Sequence, residues 1–105
     1  LLAFLPELAE RHDLTVCAYG HAGDGNMHVN LLWEDEGGEH RLARAAADLV
    51  DRTLALGGTI SGEHGIGSLK RDSLVQELGP LQLQLQRSIR RQWDPQGILN
   101  PGKVF

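Results

Sequence analysis

The first twelve residues, LLAFLPELAERH, set Leu1, Leu5 and Leu8 on one side of a helical wheel, with Pro6 near the start. This spacing predicts a short amphipathic helix. Residues 14–20, LTVCAYG, are rich in β-forming side chains and end on glycine, which predicts a strand. GHAGDGN at 20–26 reads as a loop, and MHVNLLW at 27–33 alternates, which predicts a second strand. Its odd positions, Met27, Val29 and Leu31, share one face; His28 and Asn30 share the other, and Asn26 can join them. The polar face would then carry a histidine and an asparagine side by side near the loop.

After a solvated turn, EDEGGEH at 34–40, comes the clearest helix. Leu42, Ala45, Ala46, Leu49, Val50, Thr53 and Leu54 follow the helical repeat, and Arg41, Arg44, Asp48, Asp51 and Arg52 cover the opposite face. Gly57 and Gly58 are expected to end it. Residues 59–61 read as a short extended piece, and a further helix is expected around 68–78, broken by Gly79-Pro80. LQLQLQ at 81–86 alternates as a strand would, but Leu81, Leu85, Ile89 and Trp93 step by four along one helical face, and Pro80 suits a first helical position. A helix is expected there, stopped at Asp94-Pro95, with an extended tail carrying turn chemistry at Asn100-Pro101-Gly102. The expected class is α+β: one domain over 1–105, a small antiparallel sheet with packed helices.

Composition narrows the function classes. The formal charge is −4 at pH 7, and no basic stripe is present to neutralise phosphates, which argues against a nucleic-acid partner. The densest basic spot, RRQ at 90–92, reads as a solvated helix face. The single cysteine, Cys17, permits no intrachain disulfide, favours a reducing compartment and rules out a cysteine-rich zinc site. It reads as a small apolar strand residue. His12 and His40 read as surface residues. No apolar run approaches the ~20 residues a membrane span needs. The opening without Met, inside or just at a helix, reads as the start of a fragment or excised domain.

The chemistry concentrates in GHAGDGNMHVN at 20–30 and SGEHGIG at 61–67. If the two strands form a hairpin, His21 and His28 sit at the same end of the sheet, a sensible geometry for two ligands of one ion. The alternative makes each a loop histidine bonded to backbone. Glu63, in the second glycine-rich loop, completes a His₂Glu set that suits zinc, manganese or iron and leaves open coordination positions. The alternative for this pair is a helix-capping Glu63 beside a solvated His64. As the direct neighbour of a ligand, His64 diverges from the ion and is available for acid–base work. Asp24 reads as a turn residue bonding nearby backbone. Neither loop has the spacing of a dinucleotide fingerprint or a phosphate-binding loop.

GHAGDGNMHVN and GGTISGEHGIG, together with DPQGILNPGKVF, resemble the C-terminal part of the FAD-linked oxidase family over roughly residues 14–105. The resemblance implies the C-terminal part of a flavoprotein cap domain that covers the substrate side of the flavin, with the FAD-binding domain of the same polypeptide absent from this chain. It implies metal-ligand roles for His21, His28 and Glu63, with zinc or manganese as the divalent ion. It implies a proton-accepting role for His64, a place near the substrate for Asn30, and a place near the flavin for Asn100. The activity implied is oxidation of a D-2-hydroxy acid (glycolate, D-lactate or similar) to the 2-oxo acid, with FAD taking the hydride. The electron acceptor (quinone, flavoprotein or cytochrome) is left open by the sequence. The implied location is cytoplasmic, or peripheral to the inner membrane through that acceptor, and the fragment alone is expected to be inactive. Two rivals are a non-catalytic structural or interaction module without metal, and a flavoenzyme like alkylglycerone-phosphate synthase. The histidine pattern of the latter differs from GHAGDGNMH with GEHG.

Overall fold

A computed structural model describes all 105 residues. The architecture is α+β, with helices and one two-stranded antiparallel sheet. The chain divides into two compact units, Leu1–Glu63 and His64–Phe105.

In the first unit a 3₁₀ turn at Leu2–Phe4 leads into α1, Leu5–His12. Pro6 stands in the first turn, where its missing N–H costs no helical bond, and Arg11 in the last turn complements the helix dipole. Asp13 ends α1 in the left-handed conformation at φ 52°, and the Leu14 N–H turns back to the Ala9 carbonyl at 3.0 Å. β1, Thr15–His21, and β2, Asn26–Leu32, form a hairpin in which Thr15 pairs with Leu32 and His21 with Asn26.

This register sorts the side chains. Val16, Met27, Val29 and Leu31 pack on a core of Leu5, Leu8, Leu14 and Ala45, joined by Phe4 and Leu49. The pairs Cys17–Asn30, Tyr19–His28 and His21–Asn26 stand on the other face. The expected division of odd and even positions in β2 is therefore observed. Cys17 lies in the strand as expected, but it is exposed on this outer face rather than serving as an apolar filler. The strands close tightly at their far end: a Cβ on Gly20 would lie 2.1 Å from the Asn26 carbonyl oxygen, so only glycine fits.

α2, Gly38–Ala55, begins earlier than its apolar repeat implies. Its end is a Schellman turn: the Gly57 N–H bonds the Leu54 carbonyl and the Gly58 N–H bonds the Thr53 carbonyl, both at 2.9 Å, with Gly57 at φ 77°. Ala45 is fully buried where α2 meets the core. His40 is exposed, as expected. His12 is not: its side chain is 9% exposed, and Nε2 stands 2.8 Å from Asp48 Oδ2 on α2. Arg11 donates to the same carboxylate at 3.0 Å. Both residues lie on the α2-facing side of α1, a placement that the local pattern of α1 does not reveal. Arg41 of α2 holds Asp13 and Asp35, tying the ends of α1 and β2 to the helix.

In the second unit the residues before α3 form turns, and α3 is shorter than expected, Arg71–Glu77. α4, Pro80–Trp93, is the helix expected from the four-residue step, with Pro80 in its first turn. The stripe that identified it is nevertheless exposed: Leu81, Leu85, Ile89 and Trp93 face outward, while Leu83 and, on α3, Leu74 are buried. Asp94 stops α4 and is itself buried. Its carboxylate accepts the Ile98 and Leu99 N–H groups, each at 2.9 Å. Arg90 is not a solvated basic residue: its guanidinium donates to the carbonyls of Leu99, Asn100 and Lys103, pinning the tail to α4. Residues 59–61 form no strand, so the sheet stays two-stranded. No helix is long and apolar enough to cross a membrane.

Candidate functional site

The outer face of the hairpin ends in a cluster. His21 is the last residue of β1, and His28 lies inside β2. The turn between the strands is closed by the Asp24 N–H bonding the His21 carbonyl at 3.1 Å and by Gly25 at φ 65°. Asp24 thus occupies the turn, as its sequence context implied. Glu63 reaches the same spot from the end of the first unit. His21 Nε2 is 3.7 Å from Glu63 Oε2, and His28 Nε2 is 3.5 Å from Glu63 Oε1. One ligand atom from each residue lies within 4.8 Å of the other two. Two imidazole nitrogens and a carboxylate oxygen at that spacing fit a divalent transition ion.

The three residues differ in exposure. His28 is the shielded member at 19%, with His21 at 58% and Glu63 at 51%. Tyr19, opposite His28 in register, stacks on its ring with centroids 5.0 Å apart and planes 29° apart. The two histidine rings meet edge-on at 6.0 Å. Asn26 Nδ2 donates to Glu63 Oε2 at 3.0 Å. Asn30 lies exposed on the same outer face, one pair further along the hairpin, opposite Cys17.

His64 opens the second unit and is exposed. Asn100 belongs to that unit's tail, in a turn at φ 45°, and lines an open cavity of about 670 Å³ with Ile89, Arg90, Lys103 and Phe105. His21, His28 and Glu63 are thus brought together, with Asn30 on the same face, and His64 and Asn100 are features of the second unit. Sequence reasoning missed Tyr19 altogether. The available signal was the period of two in β1, which places residues 15, 17, 19 and 21 on one face.

The chain matches the family described as FAD linked oxidases, C-terminal domain, over residues 1–104, and it belongs to that family. It is 48% identical to a D-lactate dehydrogenase of Archaeoglobus fulgidus over 93% of this chain and 22% of that protein. It is 37% identical to glycolate oxidase subunit GlcD of Bacillus subtilis over 94% of this chain and 22% of that protein. It is 34% identical to a D-2-hydroxyglutarate dehydrogenase of Stutzerimonas stutzeri over 89% of this chain and 21% of that protein. The chain therefore spans about a fifth of the length of these relatives.

Proposed function

We propose that this chain forms the substrate-side part of an FAD-dependent oxidoreductase that converts a D-2-hydroxy acid to the 2-oxo acid. The observation that carries the proposal is the convergence of His21, His28 and Glu63, with ligand atoms within 4.8 Å of one another. Family membership and the names of the relatives, which act on glycolate, D-lactate and D-2-hydroxyglutarate, support the substrate class.

His21, His28 and Glu63 would hold a divalent ion such as zinc or manganese. When bound, that ion supplies Lewis acidity toward the substrate's hydroxyl and carboxylate oxygens, and FAD, held mainly outside this chain, supplies the hydride acceptor. His64 takes the proton that leaves the hydroxyl, because a neutral imidazole is a competent base at neutral pH. Asn30 would donate its amide N–H to the substrate, and Asn100 would border the flavin. Tyr19 keeps the His28 ring in one plane, so that Nε2 stays aimed at the cluster.

The test is turnover of a panel of D-2-hydroxy acids by the full-length protein, before and after treatment with a chelator. We expect flavin reduction by at least one acid, lost on chelation and restored by added divalent ion. Flavin that stays oxidised with every acid overturns the redox reading. Turnover indifferent to chelation overturns the metal reading.

A further inference from the structure

We infer that Asn26 is a positioning residue that holds the Glu63 carboxylate in place for the ion. This rests on the metal reading of the preceding section.

The three ligands are not fixed equally by the backbone. His21 and His28 stand on paired strands, so the hairpin ladder sets their separation before any ion arrives. Glu63 comes from a loop outside the sheet, and its side chain is half exposed, so its rotamers are the freedom that ion binding must remove. Asn26 answers that need from the strand side. It is the first residue of β2 and pairs with His21. It also bonds Glu63 Oε2 through Nδ2 at 3.0 Å. One carboxamide therefore couples the loop ligand to the strand that carries His28.

Gly62 gives independent support. A Cβ built there would lie 2.2 Å from Asn26 Oδ1, 2.7 Å from its Cγ and 3.1 Å from its Nδ2. The carboxamide fills the space beside residue 62 that any side chain would occupy. The glycine immediately before Glu63 makes the Asn26 contact possible. The choice of amide also has a chemical logic: it donates a hydrogen bond to a carboxylate without adding a negative charge to compete for the cation. Partners of this kind behind a ligating carboxylate typically change metal affinity by about 10–100-fold when removed.

The experiment uses the full-length flavoprotein stripped of metal and titrated with Co²⁺, read by the visible d–d bands and by a competing chelator. His21→Ala serves as the ligand-loss control. Asn26→Ala and Gly62→Ala should each weaken Co²⁺ by about 10–100-fold and alter the band pattern, with flavin content and the metal-free thermal midpoint unchanged. The double variant should be no weaker than the weaker single one, because both act on one contact. If Asn26→Ala does not fold, Gly62→Ala alone decides the matter. Wild-type affinity in either variant overturns the role of Asn26 while leaving the metal reading intact. A wild-type protein that binds no Co²⁺ overturns both. A midpoint lowered in step with affinity makes Asn26 merely structural and also overturns the inference.

Discussion

His12 Nε2 stands 2.8 Å from Asp48 Oδ2, and this contact joins the last turn of α1 to the middle of α2 across the first unit. Hydrogen bonds from His12 and then Arg11 hold the Asp48 carboxyl below the usual carboxylate range. A carboxyl depressed on folding stabilises the fold above its unfolded value, near 3.9, and that contribution fades as pH falls through the lower folded value. Asp48→Asn should therefore lower the thermal midpoint at pH 7, by an amount corresponding to about 1 kcal/mol or less for so exposed a group. The gap should narrow progressively as the pH falls below the unfolded value. Thermal melts of both from pH 7 downward decide this, and a gap that widens in acid would refute it.

The core of the first unit depends heavily on one side chain. Leu8 is fully buried among Leu5, Leu14 and Ala45. Leu8→Ala should cost about 2–5 kcal/mol by chemical denaturation, since the helix and hairpin can collapse only partly into the space. Substitution at exposed Leu2 should cost far less.

The ligand role proposed for Glu63 and the base role proposed for His64 separate by their readouts. Glu63→Gln in the full-length protein should lower bound divalent ion measured by elemental analysis. His64→Ala should lower turnover by about 10²–10⁴-fold while the ion stays bound. Turnover that survives in His64→Ala would remove His64 from the mechanism.

Asp94 organises the second unit's tail. The Leu99 N–H, followed by the Ile98 N–H, holds its carboxyl below the usual range against the opposing effect of burial. Asp94→Ala leaves two backbone donors without this acceptor, so amides 97–100 should exchange faster with solvent while those of α2 keep their rates. In the wild type the same tail should loosen only as the pH falls through the carboxyl's depressed folded value, below the ordinary carboxylate range. Hydrogen exchange followed by mass spectrometry measures both effects.

Gly20 tests the coupling of hairpin to site. A Cβ there meets the Asn26 carbonyl oxygen at 2.1 Å, so Gly20→Ala must spread the strands where His21 pairs with Asn26. Divalent affinity should fall, with a loss of stability of about 1–3 kcal/mol, typical of forced overpacking. Unchanged affinity would show that the ligands tolerate a looser hairpin end.

Much of this was legible in the chain because β2 and α2 follow strict periods. Alternation sets Met27, Val29 and Leu31 against His28 and Asn30, and the folded hairpin keeps that division. The gathering of His21, His28 and Glu63 was foreseen from two glycine-rich loops. What stayed hidden depends on tertiary geometry. His12 looked like a surface residue because nothing local in α1 announces Asp48, 36 residues away. The Leu81-Leu85-Ile89-Trp93 step identified a helix correctly, yet periodicity says nothing about which face is covered, and this one is open. Arg90 reads as solvated in sequence because its three carbonyl partners lie nine to thirteen residues away in the tail.

The hairpin gives the site a parity. Side chains alternate between faces with a period of two, so sliding β2 by one residue against the core would turn His28 and Asn30 inward and put Val29 and Leu31 in water. No intermediate setting exists in which half the donors remain in place. A slip of β2 by one residue therefore abolishes the cluster and the core together, whereas a slip by two restores the face that each kind of side chain occupies. Chemistry and folding share one register, so a slipped hairpin cannot lose one and keep the other.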